Sequence, residues 1–174
     1  LYIDNWLIRY KADLAETLYI RKGTHGVADM NSFQKRYLKG VTFPEGLKYI
    51  GSEAFERTDL KSVKLPRTVE LMKYSAFRGT KIKEITLPAS MKRVDKWVFM
   101  DCEQLDRITV EGKDTQIIWP AVTGHHNGTP MIIESPLNSH AQAYCEKYGK
   151  KYNLVFEEKK PVVKNNIFTL RRKK

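Results

Sequence analysis

The chain has 174 residues, 41% of them apolar, and a formal net charge of +11 from 31 Lys and Arg against 20 Asp and Glu. That length suits one domain with an adequate core, and no apolar run is long enough to cross a membrane as a helix. The two cysteines, Cys102 and Cys145, are too few for a disulfide scaffold; they read as buried thiols unless the fold brings them within a few ångströms of each other.

At the N-terminus, LYIDNWLIRY reads as two strands joined by a turn at Asp4-Asn5. Leu18, Ile20 and Val27 then resemble a degenerate first coil, with Arg21 where later coils place proline. Beyond this point a repeat governs the chain. Pro44, Pro66 and Pro88 recur every 22 residues, and so do Phe33, Phe55, Phe77 and Phe99. Two registers sharing one period identify a solenoid of stacked coils.

The coils read Val41 to Leu60, Val63 to Ile82 and Ile85 to Leu105, the last with one extra residue that carries into Ile108-Thr109-Val110. Val63-x-Leu65 has period two, the mark of a short strand with both side chains pointing one way. Proline ends that strand because it has no N–H to extend a ladder. From Val69 to Phe77 the apolar spacing is three and four, which predicts one or two helical turns. One coil is therefore a strand, a turn, a short helical segment and a return, and only stacking on neighbours can bury its apolar residues.

Ile117 to Pro136 keeps some apolar alternation but loses the period. Ser139 to Tyr148 predicts a helix with Gly149 as its C-cap, and Leu154-Val155-Phe156 a closing strand. The stretch 157–174 changes composition. Seven basic residues there face two acidic ones, giving the tail +5 and leaving +6 for the body. It is expected to be solvated unless Ile167 and Phe168 dock. The division that follows is an N-terminal hairpin cap over 1–17, coils over 18–116, a degenerate last coil and C-terminal cap over 117–156, and a basic tail over 157–174.

Leu60, Val63, Leu65, Pro66, Val69, Met72, Ala76 and Phe77, with Ile50, Gly51, Ala54, Phe55 and Cys102, resemble the leucine-rich repeats of the BspA-like type. The likeness covers about Leu18 to Val110. Thr58 and Thr80 stand where that family often has Cys, which Cys102 keeps; small polar side chains there can bond the neighbouring coil's backbone. The resemblance implies an α/β solenoid: a short, curved, right-handed coil with one parallel β-sheet face and short helical segments on the other. A β-hairpin caps its N-terminus and a helix–strand pair its C-terminus, where the family commonly ends in a similar Ser-x-Ala-x-x-Tyr segment. It also implies a secreted or surface-attached microbial protein that binds host proteins or other cells. The chain begins at Leu1, and this start says nothing about secretion.

Catalytic chemistry finds little support. His125-His126 sits in a Gly-rich loop, and adjacent residues of an extended segment point opposite ways, so a solvated loop is the expected reading over a metal site. No nucleophile motif, phosphate-cradling loop or metal signature is present, so the chain reads as a non-enzyme without cofactor or metal. Outward positions beside the strands are more informative. Lys39, Lys61 and Lys83 form a column on successive coils, joined on the same face by Lys64 and Arg107. At about 4.8 Å between strands, each like-charge pair costs under about 1 kcal/mol in water. The column is therefore compatible with a merely solvated ladder and with an anion-favouring stripe. Tyr49, Tyr74, Trp97 and Trp119 are border aromatics that either anchor a ligand or plug coil edges.

Four strands make a face of roughly 200–250 Å², small beside about 800 Å² per partner in a standard interface. Three functions compete. The first is a recognition or adhesion module for a protein or glycan outside the cell, bound through Lys39, Lys61, Lys64, Lys83, Arg107, Tyr49 and Tyr74. The second is a polyanion binder using the lysine column and tail, with nucleic acid disfavoured because no base-stacking aromatics interleave with the lysines. The third is a structural spacer in a larger protein.

Overall fold

A computed structural model describes residues 1–8, 16–29, 37–122 and 128–160. Most coils carry two short parallel strands on different sides of the core; the coil Val63 to Ile82 has one, at Leu71–Met72, and the strand predicted at Val63-x-Leu65 does not form. Tyr2–Ile3 (β1) and Trp6–Leu7 (β2) form the antiparallel hairpin, with Asp4 and Asn5 both at positive φ as a tight two-residue turn requires. From β2 the sheet continues in parallel through Gly26–Val27 (β4), Tyr49–Ile50 (β6), Leu71–Met72 (β7), Arg93–Val94 (β9) and Gln116–Ile117 (β11). Its inward column is Leu7, Val27, Ile50, Met72, Val94 and Ile117, in register throughout.

The predicted strand face lies on the other side. Thr17–Tyr19 (β3) pairs with Gly40–Thr42 (β5), while Glu84–Leu87 (β8), Arg107–Val110 (β10), Met131–Ser135 (β12) and Leu154–Glu158 (β13) form a separate four-stranded parallel sheet. Ile85, Ile108, Ile133 and Phe156 are mutually in register beneath that face. The coil expected to lose the period is thus present in β11 and β12. Its longer connection sets Ile108 and Ile133 apart by 25 residues while keeping them as ladder partners.

The short helical segments predicted for Val69 to Phe77 are not helical. An α-helix needs each N–H to return to the carbonyl four residues back, and neighbouring coils take those donors instead. Leu71 and Lys73 donate to Lys48 and Ile50 of the coil before; Ser75, Phe77 and Gly79 donate to Lys96, Val98 and Met100 of the coil after. Between them, Ala76, Arg78 and Thr80 close tight turns on Lys73, Ser75 and Phe77. The turns reverse the chain at two points of positive φ that follow the repeat, Glu53, Ser75 and Trp97 at one, Arg57, Gly79 and Asp101 at the other. Overlapping turns bring residues three and four apart to one side, so the spacing imitates a helix.

Phe55, Phe77 and Phe99 stack inside these turns with centroids 5.3 and 6.2 Å apart and nearly parallel planes. All three are buried; Phe33 lies outside the described residues. Beside them Cys102 donates to the Phe77 carbonyl of the preceding coil at 3.2 Å and meets Thr80 at 3.4 Å, whereas Thr58 bonds within its own coil, to Phe55. A second polar column was not foreseen. The hydroxyls of Thr68, Ser90 and Thr115 donate to the carbonyls of Leu47, Val69 and Met91, each one coil back.

The C-terminal helix (α1) runs His140–Tyr152, longer than predicted. Ser139 caps its start by accepting from the Gln142 N–H, and Asn153, in the left-handed conformation, ends it. Gly149 is not the cap but an interior residue. A Cβ there would sit 2.8 Å from the Leu154 carbonyl oxygen, so only glycine lets helix and β13 approach this closely. Cys102 and Cys145 are free, buried thiols.

Candidate functional site

The seven candidate residues do not gather at one place. Lys61, Lys64 and Lys83 share the strand face, exposed and without a carboxylate partner among the described residues. Lys39 is held by Glu16, and the Lys83 carbonyl accepts from the N–H of Asp106. Backbone ladder bonds place Glu16 and Asp106 at the positions equivalent to the lysines on the coils before and after; among the described residues, only Lys39 forms an ion pair with its neighbour. Arg107 is neutralised as well. It meets Glu157 at 2.8 Å and Glu134 at 3.4 Å across the β10–β12–β13 ladder, which raises its pKa further. Glu157, the first residue of the expected basic tail, lies in β13.

The tyrosines sit on other sides. Tyr49 points outward from β6 and stacks on Trp6 at 5.8 Å with planes 11° apart. The Trp6 ring crosses Gly26, where a Cβ would fall 2.4 Å from a ring carbon, so that glycine exists for close approach. Flanking this pair, Lys92 (2.5 Å) and Lys48 (3.3 Å) both hold Glu70, and their hydrogen bonds keep its carboxyl below the usual carboxylate range. Tyr74 is at the corner turn, tilted against Trp97 at 5.0 Å, and over Trp97 lies the Arg78 guanidinium, itself bonded to Asp101 at 2.9 Å. Trp119 stacks on Tyr148 of α1 at 5.5 Å, the edge-plugging role.

What the strand face offers is a groove of about 800 Å³ lined by Glu45, Lys64, Arg67, Glu84, Thr86 and Glu111 among others. A second hollow of about 310 Å³ adjoins it, past Lys64 and Leu65, toward Thr42 and Phe43. Thr42, Lys64, Thr86 and Thr109 occupy equivalent outward positions, a row of hydroxyls with one lysine in it. Sequence alignment of the coils exposes that row. Glu45 and Arg67 follow their coils' prolines and Glu111 stands at the proline position of its own coil, so all three lie beyond the strands, where the alternation carries no signal.

His125 and His126 lie outside the described residues. Among those described, no three His, Cys, Asp or Glu side chains gather as a metal site would need, and no helix is long and apolar enough to cross a membrane. His140 meets the Asp114 carbonyl through Nδ1 at 3.3 Å and donates its backbone N–H to the Lys113 carbonyl at 3.1 Å.

Comparison with curated proteins and with solved structures found no match in either set. The profile of one family, described as BspA type leucine rich repeat region, matches residues 28–147 in six copies. Those copies span the coils whose stacked phenylalanines and paired strands are seen in the structure, and the chain belongs to the BspA-type leucine-rich repeat family.

Proposed function

We propose that this chain is a non-catalytic recognition module of a secreted or cell-surface protein, holding a protein or glycan partner on its strand face and the adjoining turns. Leucine-rich repeats of this family are interaction and adhesion modules, and proteins carrying them are often extracellular or surface-associated. The observation that carries the reading to particular residues is the contrast among its cations. Lys39, Lys48, Lys73, Lys81, Lys92 and Arg107 are each tied to a carboxylate. Lys61, Lys64 and Lys83 have no carboxylate partner among the described residues, as is true of Lys22, Lys96 and Lys113. What sets the three apart is the strand face, where Lys64 lines the groove and Lys61 and Lys83 adjoin its lining residues Ser62 and Glu84. Exposed ion pairs add little stability, but unpaired cations around a hollow steer an acidic partner toward it.

In this reading the hairpin and α1 with β13 close the ends of the coils, and the groove's rim extends a face too small to bind alone. The experiment is adhesion of chain-coated beads to arrays of immobilised extracellular proteins and glycans. Lys61→Glu with Lys83→Glu should abolish whatever specific capture the unaltered chain shows. Capture that survives this double reversal at full strength assigns binding to another surface.

A further inference from the structure

The strand face is laddered on both flanks and open in between. β3 with β5 closes one flank; β8, β10, β12 and β13 close the other. Residues 62–65, the predicted strand of the coil between them, make no backbone ladder bond to either side. Among the described residues, one long contact, from the Lys83 N–H to the Lys61 carbonyl at 3.4 Å, is the backbone bond that crosses this gap. On the opposite side of the same coil the ladder is complete, β7 being paired with both β6 and β9. The coil is therefore fixed in the stack, and the opening is local to the face.

Both sides of the gap reach solvent. The larger groove touches Ser62, Val63, Lys64 and Leu65 on one bank and Glu84, Ile85 and Thr86 on the other. The smaller hollow lies between Leu65 and the β5 residues Val41 and Thr42. Backbone N–H and C=O groups need partners, from water or from a ligand. A row of alternating donors and acceptors is matched by one common ligand chemistry, an extended peptide main chain. Neither hollow offers an exposed aromatic ring for stacking on a sugar; Phe43, the one ring present, is half-buried. The surrounding charge sets the sign. The groove's own lining holds Lys64 and Arg67 against Glu45, Glu84 and Glu111, the last engaged by Lys159 at 3.3 Å. Lys61 and Lys83, exposed and without a carboxylate partner among the described residues, adjoin it at Ser62 and Glu84 and, with Asp106 counted against them, leave the surroundings positive.

We propose that the open ladder at Ser62 to Leu65 recognises an extended acidic peptide segment of a partner protein. The segment's main chain bonds the free amides and carbonyls, and its carboxylates meet Lys61, Lys64 and Lys83. This deepens the recognition reading above and rests on it. An extended segment can run past both ends of a narrow face, which suits a surface too small for a globular partner.

The test is amide hydrogen exchange by NMR on the whole chain, free and with a soluble peptide of alternating Glu and Thr. A Lys-and-Thr peptide and a heparin oligosaccharide serve as controls. In the free protein the amides of 62–65 should exchange fast, while those of Met72, Ile85 and Ile108 exchange slowly. The acidic peptide should slow 62–65 selectively, and Lys64→Glu should weaken it about tenfold or more without changing the melting temperature. If that variant does not fold, Lys64→Gln takes its place.

Slow exchange of 62–65 in the free protein means the ladder is closed and overturns the proposal. So does fast exchange that saturating acidic peptide fails to slow. Equal protection by heparin reassigns the site to anions in general and overturns it too. A partner captured through Lys61 and Lys83 that leaves 62–65 unprotected would preserve the broader function and remove this inference alone.

Discussion

At the scale of single residues, stability rests on side chains repeated in register. Phe77 is sandwiched between Phe55 and Phe99 and is fully buried. Phe77→Ala removes both contacts and leaves a cavity in the buried stack, so it should cost about 3–5 kcal/mol. A urea midpoint indistinguishable from the unaltered chain would take that ring out of the interior. Ser75 presents the opposite case. It occupies the same turn position as Glu53 and Trp97 with φ of 54°, and its buried hydroxyl has no partner among the described residues. Left-handed backbone and an orphan hydroxyl each cost on the order of 1 kcal/mol or more. Glycine removes both while adding about 1 kcal/mol of unfolded-chain entropy. Ser75→Gly should therefore raise stability by about 1 kcal/mol, read as a higher urea midpoint; a lower one would mean that the serine side chain packs usefully.

At the scale of elements, the readable signals were those set by local chemistry, and the missed ones depended on a neighbour. Asp4-Asn5 specified its hairpin because turn residues encode their own conformation. Ser139 specified the start of α1 for the same reason. Gly149 misled, since glycine serves both as a cap and as the only residue that fits against the Leu154 carbonyl, and sequence does not separate the two. Val69 to Phe77 misled because its amides bond to other coils, a choice absent from any one coil's spacing. Within α1, burial pushes the Tyr144 hydroxyl and the Cys145 thiol up to about 12, from ordinary values of 10.0 and 9.0. Both groups are neutral when protonated, so the unfolded chain releases these protons first as pH rises. The stability they contribute is whole below about pH 9 and is lost progressively toward pH 12. Urea midpoints followed by circular dichroism should fall across that window. A Tyr144→Phe, Cys145→Ala chain should fall less steeply; equal slopes in the two chains would rule out these groups as the cause.

At the scale of the whole molecule, the 22-residue period was enough to establish a stacked solenoid, because every inward column follows from it. The function was less legible. Lys39, Lys61 and Lys83 look equivalent in sequence, yet Glu16 neutralises the first, and that contact requires the preceding coil. Arg107 looked like a further free cation until β12 and β13 brought Glu134 and Glu157 across the sheet. Tyr49 and Tyr74, read as border residues away from the strand face, lie there in β6 and at the corner turn, each against a tryptophan, so they join no common site with the lysines. The gap at 62–65 had no sequence signal, since Val63-x-Leu65 has the same alternation as Ile85-x-Leu87, which does form a strand.

If binding belongs, as proposed, to the three lysines at the groove and not to a net charge of +11, location decides affinity and charge alone does not. Two triple variants with identical net charge decide this. One carries Glu at Lys61, Lys64 and Lys83; the other carries Glu at Lys22, Lys96 and Lys113, which are exposed elsewhere on the surface. Affinities for the acidic peptide and for any captured partner, measured at physiological salt, should collapse in the first and hold within about twofold in the second. Equal losses in both variants, or retention in the first, would contradict it.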